Sequence, residues 1–392
     1  PLRAALAAER QQLLQAAMQR SPPVAATQAL PDWDLGAVLQ ALPAGVGAVS
    51  WYWLASPEGW QLNIFFAGAD RVPQWAQTAW QRTEIDAINQ ARRAYRTARP
   101  FGVKQQLKAD SGDRLLPPAV RQALAGCHTL LLTPHRHLRQ LPLHAMEISD
   151  PAPDGAAAGA KRLLIEDFAV QLLPTLALPF PAAAEPRPAV RQVLLLGCEQ
   201  DGFGSRALAD VPIELAALQL SWAGAGHPVQ MHDLAAQARL PAAAALAQWS
   251  AFDVIHVACH GRFDAASPFD ATLLLGSEAL RARDFFDVSL RAELVCLSAC
   301  DLGQHSEQLD GMALVSDEWL GLALPLFQAG ARALLASLWQ AHSPTAREFM
   351  VAMHRALAAG CSPARAHQLA CLSVIKSPFG HWAEWQLAGF PG

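Results

Sequence analysis

Charged side chains are scarce in this chain: they make up 16% of its 392 residues, against 52% hydrophobic ones. So little charge beside so much apolar material excludes a disordered or solvating protein and leaves ample material for a buried core. A basic surplus is missing too, since 30 Lys and Arg face 34 Asp and Glu for a formal net charge of −4. That balance offers no electrostatic ground for nucleic acid or an anionic membrane as the main partner. No apolar run reaches the ~20 residues of a membrane span. The most apolar stretch, residues 320–339, is broken by Pro325, Gln328 and Arg332. Residues 1–10 hold only a five-residue apolar run before Glu9 and Arg10, so no secretory leader is expected. A disulfide framework is absent as well. Cysteines 127, 198, 259, 296, 300, 361 and 371 are odd in number and scattered, several inside apolar runs, which is thiol usage in a reducing compartment. The expectation is a soluble, cytoplasmic protein. Its start at Pro1 means either a removed initiator Met or a piece of a longer chain.

What is present falls into two halves. Leu2, Leu6, Leu13, Leu14 and Ala17 recur at helical spacing, predicting an amphipathic helix over 2–20 that ends before Pro22 and Pro23. A hairpin is expected from Ala48–Leu54 and Trp60–Phe66, its Trp and Phe read as core filling. A helix is expected over 74–98 and a strand over Thr129–Thr133. The small-residue stretch 151–160 and the Pro-rich stretch 179–188 read as linkers. Beyond them, continuous apolar strands at 193–197, 253–258, 294–297 and 333–337 alternate with helical segments, one of them capped by Asp210. This is the pattern of a parallel sheet covered on both faces. Helices starting at Ser343-Pro344 and Ser362-Pro363 close the chain. The expected division is 1–34 as a helix and connection, 35–185 as a first half and 186–392 as a second half.

In open parallel sheets, reactive groups collect past the carboxyl ends of strands. One strand, ending in Cys259-His260-Gly261, delivers an imidazole; another, ending in Ser298-Ala299-Cys300, delivers a thiol. Forty residues apart, they form a candidate base and nucleophile, because an imidazole can take the thiol proton or stabilise the thiolate. The N–H groups of Gly261 and Cys300 are candidate oxyanion donors. Ser298, two before the thiol, and Asp317 or Glu318 are candidate substrate-pocket residues. A lone Cys or His at a strand end is more often simple core material. A metal set from Cys259, His260, Cys296 and Cys300 is disfavoured, since neighbours on a strand face opposite ways; His128, His135, His137 and His144 read as loop surface. Gly202-Phe-Gly-Ser-Arg-Ala207 fits a dinucleotide fingerprint, yet four residues separate it from its strand where an immediate turn is needed.

Ile255-His-Val-Ala-Cys-His-Gly-Arg-Phe263 together with Leu297-Ser-Ala-Cys-Asp-Leu-Gly303 resembles the signature of the CHAT family, caspase-related cysteine peptidases in the clan of caspases and separases. Matching segments follow in order: 131–143, Asp317-Glu318 with Leu320-Gly321-Leu322, 329–339 and His381-Trp382-Ala383. The resemblance covers about residues 35–392. It implies a caspase-like α/β fold, a mostly parallel sheet flanked by helices, with a degenerate first half packed on a catalytic second half. It also implies a cysteine endopeptidase acting on a protein substrate through Cys300 and His260. Such a peptidase needs no cofactor and no metal, and is switched on by a sensor or partner, often in bacterial defence. Asp301-Leu302-Gly303 departs slightly from the family's Glu-Thr-Gly, and no sensor repeats are present. A catalytically silent interaction scaffold and a dinucleotide-binding α/β protein stand as the alternatives.

Overall fold

The computed structural model describes residues 35–56, 59–97, 109–149, 159–173, 191–234, 246, 248–262, 268–299, 308–309, 312–313, 321–341 and 343–391. The expected helix over 2–20, the linker over 179–188 and most of that over 151–160 lie outside them.

One sheet of eleven strands organises the molecule. In chain order its strands are β1 (Val46–Ser56), β2 (Gly59–Ala67), β3 (Gln74–Trp80), β4 (Thr129–Thr133), β5 (Ala169–Leu172), β6 (Val193–Gly197), β7 (Val229–Asp233), β8 (Val254–Ala258), β9 (Leu294–Ser298), β10 (Ala333–Ser337) and β11 (Trp385–Gly389). Across the sheet they run β3-β2-β1-β4-β5-β11-β10-β9-β8-β6-β7. The pairings are parallel except in the β1-β2-β3 meander and at β10-β11. Every residue of β6, β8, β10 and β11 is buried. Such unbroken burial is what a sheet covered on both faces requires. Strand β5, from the first half, pairs with β11, the last strand of the chain, so the sheet is continuous from one half to the other.

Three helices cover one region of the second half: α1 (Asp210–Gly224), α2 (Ser343–Ala358) and α3 (Pro363–Val374). Helix α2 packs against both α1 and α3. Its helical-period residues Phe349, Met350, Met353 and Leu357 are fully buried, each such side chain contributing about 1.5–3 kcal/mol of transfer free energy. Ser362 caps α3 by accepting from the Arg365 N–H at 3.2 Å.

Four expectations change, the first at the chain's end, where strand β11 and not a helix closes the fold. Residues 74–80 are strand, and the helix begins only at Arg82; pairing with β2 across seven registered positions outweighs the local helical spacing. Asp210 is the first residue of α1, not its cap, and its carboxylate pairs with Arg347 of α2. The aromatic hairpin is only half core. Trp51 and Trp53 point inward and are buried, while Tyr52, Leu54, Phe65 and, on β3, Trp75 are exposed, the two-residue alternation of a sheet with one wet face.

Candidate active site

Strands β8 and β9 are nearest neighbours, in a parallel register that places Ala258 beside Ser298. The ladder continues one step further, with the Cys259 N–H donating to the Ser298 carbonyl at 3.4 Å. His260 therefore lies two residues past an aligned pair, partly buried at the lip of the sheet. Cys300, Asp317 and Glu318 lie outside the described residues. Ser298 and Ala299 are described: Ser298 is half-buried, and the buried Ser337 hydroxyl of β10 donates to the Ala299 carbonyl at 2.8 Å. Ser337 thus holds the backbone immediately before position 300, a role visible only once β9 and β10 are paired.

His260 is held from two sides. It opens the short strand His260–Arg262, which pairs antiparallel with Thr272–Leu275, placing Gly261 opposite Leu273. Its Nε2 lies 2.6 Å from the carbonyl oxygen of Arg206. A carbonyl only accepts, so Nε2 carries the proton and Nδ1 is the basic nitrogen. Arg206 was not legible as a site residue, because it contributes backbone and not side chain.

The loop that presents this carbonyl is shaped by Asp201. The Asp201 Oδ1 accepts from the Phe203 N–H at 2.9 Å and from the Ser205 N–H at 3.2 Å. Gly202 N–H donates to the Gly276 carbonyl at 2.7 Å, tying the loop to the hairpin turn that follows Leu275. Burial works to raise the Asp201 carboxyl. The hydrogen bonds from Ser205 and Phe203, with His260 nearby, nevertheless hold it below the usual carboxylate range. A buried acid therefore takes amide donors of the Gly202–Ala207 segment that a pyrophosphate would need, which removes the physical basis of a dinucleotide site there.

Burial pushes the thiols of Cys198, Cys296 and Cys371 up, and that of half-buried Cys127 also. Cys259 is buried too, its thiol donating to the His260 carbonyl at 3.3 Å. None of these five is placed as a thiolate nucleophile.

The reading of His135 and His144 as loop surface is corrected: both are buried. His135 accepts the Trp53 N–H at Nδ1, 2.9 Å away, and stacks on Tyr52 with ring centroids 4.3 Å apart. The His137 side chain lies outside the described ones, and His128 is exposed.

Among the described residues, two buried groups bring metal-ligand types together, and sequence spacing signalled neither. In one, donor atoms of His256, Cys296 and His354 lie within 4.8 Å of one another. Its hydrogen bonds leave no room for an ion. Trp222 Nε1–H, a donor only, lies 2.9 Å from His354 Nδ1, so the proton of neutral His354 sits on Nε2. That nitrogen is 3.1 Å from His256 Nδ1, and His256 Nε2 is 2.9 Å from Glu214 Oε1. The nitrogen His354 aims at the group is thus an N–H, and the four side chains form a one-directional wire with every partner supplied. The other group is His144, His367 and Cys371.

The comparisons agree with this architecture. A model of the CHAT domain family matches residues 112–390. The separase of the Saccharomyces cerevisiae separase–securin complex superposes with a TM-score of 0.54 at 8% identity, over 91% of this chain and 30% of its own. This chain therefore spans under a third of that separase's length. Gingipain R, an Arg-specific cysteine proteinase, gives 0.46 at 10% identity over 72% of this chain and 67% of its own. Caspase-1 from Spodoptera frugiperda gives 0.34 at 11% identity over 52% and 89%. No curated protein sequence matches. The separase likeness shows a shared caspase-like α/β fold, the fold of a cysteine-peptidase type. Because the matched segment takes in most of the sheet and both candidate strand ends, the chain belongs to the CHAT domain family.

Proposed function

We propose that this chain is a cysteine endopeptidase that cuts a protein substrate, with Cys300 as nucleophile and His260 as acid and base. The observation that carries this reading is the β8–β9 register: His260 follows Ala258, and Cys300 follows Ser298, by the same two residues. Adjacent strands lie ~4.8 Å apart. The Arg206 carbonyl supports the assignment by holding the proton on His260 Nε2 and leaving Nδ1 to accept the thiol's.

In this mechanism Nδ1 takes the Cys300 proton as sulfur attacks the scissile carbonyl carbon, and the N–H groups of Gly261 and Cys300 stabilise the oxyanion. The imidazolium returns its proton to the leaving amine, giving a thioester. Water, deprotonated by the same imidazole, then releases the acid and restores the thiol. Ser298 at the pocket is neutral, so it does not select a basic side chain before the cut; Asp317 and Glu318 complete the pocket. The first half, 35–185, serves as the scaffold beneath the catalytic half. A protein partner controls the site, as the securin complex of the separase neighbour suggests by analogy.

The test is mass spectrometry of fragments made from protein substrates, with and without candidate partners. Cleavage by the wild type that vanishes in folded Cys300→Ala supports the dyad; identical fragments from Cys300→Ala overturn it. A folded wild type that binds partners and never cleaves identifies the silent scaffold instead. A timed iodoacetamide pulse adds a second readout. Cys300 labels first of the seven thiols, and its lead shrinks in His260→Ala.

A further inference from the structure

The β1-β2-β3 meander packs one face inward, where Trp51, Trp53, Leu62 and Ile64 share a core with Ile85 and Leu115. Strand register defines the opposite face: Ser50 lies across from Phe65 and then Trp75, Tyr52 from Asn63 and then Gln77, and Leu54 from Gln61. Tyr52, Leu54, Phe65 and Trp75 are 48%, 45%, 50% and 63% exposed. Between Ala48 and Leu54 this face carries no charged residue on any of the three strands. Its amides spend hydrogen bonds on one another. Gln77 Nε2–H donates to Gln61 Oε1 at 3.1 Å and to Asn63 Oδ1 at 3.2 Å, and Asn63 Nδ2–H donates to the Tyr52 carbonyl at 3.4 Å. The stack on His135 stiffens the Tyr52 ring. Four large apolar side chains gathered on one uncharged platform mark a contact surface, whereas single exposed ones do not. One end of this face is already closed. Leu39 and Leu42 form with Val46, Ala48, Ala67 and Leu131 a small core separate from the main one. Leu39 lies on the short helix Leu35–Gln40, whose end Arg71 clasps by donating to the Pro43 carbonyl at 2.6 Å and to those of Leu39 and Val46 at 3.4 Å.

We propose that residues 2–20 of this chain fold back onto the open part of this face, with Leu2, Leu6, Leu13 and Leu14 packing on Tyr52, Leu54, Phe65 and Trp75. Leu35, the first described residue, opens the helix already seated on the same face, so the preceding chain enters from that side. The lengths agree. From Ala48 to Leu54 the face runs ~20 Å at ~3.3 Å per residue, and its three strands are spaced ~4.8 Å apart. A helix over 2–20 is ~28 Å long and ~10–12 Å across, enough to cover it. The 14 residues 21–34 reach ~46 Å when extended, more than the length of the platform. The chemistry agrees as well. Leu2, Leu6 and Leu13 recur at helical spacing, and Gln11, Gln12, Gln15 and Gln19 fall on the other side of such a helix. A neutral platform asks no charge of its partner, and a leucine stripe brings none to desolvate. Tethering favours this segment over a second copy, because a short linker supplies an effective concentration of about millimolar.

Hydroxyl-radical footprinting of the full chain, read residue by residue by mass spectrometry, tests the contact. Phe65 and Trp75 should oxidise roughly fivefold more slowly in the wild type than in a Leu6→Glu, Leu13→Glu double variant, the contrast between a half-exposed ring and an interface core. Buried Trp51 should oxidise equally in both. A second measurement needs no change in residues 2–20. With Trp75 replaced by benzoylphenylalanine, irradiation of mixed isotopically light and heavy chains should join position 75 to residues 2–20, and each crosslinked peptide pair should be wholly light or wholly heavy. Equal oxidation of Phe65 and Trp75 in the wild type and the folded double variant overturns the proposal. Pairs that join light to heavy overturn it too, and assign the face to a second copy. Irradiation without any crosslink to residues 2–20 overturns it equally. If the double variant does not fold, the crosslinks decide.

Discussion

His256 and His260 stand four residues apart on one stretch of chain and live in different chemistry. His256 sits in the middle of β8, fully buried, with both ring nitrogens engaged between His354 and Glu214. His260 sits just past the strand, partly exposed, with one nitrogen fixed on the Arg206 carbonyl and the other aimed away from that contact. The same side chain is a structural link where every donor and acceptor is matched. It becomes an acid–base candidate where one nitrogen is anchored and its opposite is left for a substrate or a thiol. Position along the strand decides which: the interior of a covered sheet demands satisfaction, whereas the carboxyl end opens onto loops.

The widest separation between the two histidines should come from activity. His260→Ala and Cys300→Ala should each lower kcat/KM at least ~10³-fold, in the range of a lost acid–base group or nucleophile, with an unchanged melting temperature. Cleavage surviving in either folded variant breaks the contrast. Glu214→Ala should do the reverse. It strands the buried His256 N–H at a cost of about 1–3 kcal/mol, read by denaturant unfolding, while the folded fraction keeps its cleavage rate. A loss of cleavage matching that of His260→Ala would mean that the wire takes part in the chemistry.

Acid should separate the two as well. Burial, with His256 beside it, holds His354 well below the usual histidine range. The native state therefore keeps it neutral while the unfolded chain takes up a proton below ~6.5. Its contribution to stability is complete above that pH and is lost as pH falls further, by up to ~1.4 kcal/mol per unit. Melting temperatures from pH 7.5 to 5 should fall with this sign, with a shallower slope in His354→Gln. A finer probe is Asp201→Asn, which weakens the two amide bonds shaping the loop and loosens the Arg206 carbonyl. A loss of about 1 kcal/mol in orientation is ~fivefold in kcat, with KM little changed. The smallest effect is expected from Ser337→Ala, which leaves the Ala299 carbonyl unpaired for ~1 kcal/mol of stability, measured by chemical unfolding.

Much of the architecture was legible because its signals are local. Strands β6, β8, β9 and β10 are predominantly apolar runs bounded by polar or small residues, and Ser362-Pro363 marks a helix start whatever surrounds it. Residues 74–80 misled for the opposite reason. Their strand exists because β2 offers a registered edge, and no local pattern records that edge. The candidate dyad was legible as two short motifs, but their alignment depends on the β8–β9 pairing.

The sequence by itself determined the family, four buried strands of the second half and the two strand ends that bring a thiol and an imidazole, since those follow from residue type and short-range periodicity. Only the tertiary structure decided which polar groups meet. The Arg206 carbonyl lies 54 residues from His260, Trp222 lies 132 from His354, and both His367 and Cys371 lie more than 200 from His144. Backbone carbonyls carry no sequence label, and a ring nitrogen's role is set by whichever partner packing brings within about 3 Å. Hydrogen-bond direction and burial are properties of the assembled core, and they separate the fully engaged His256 from the partly exposed His260.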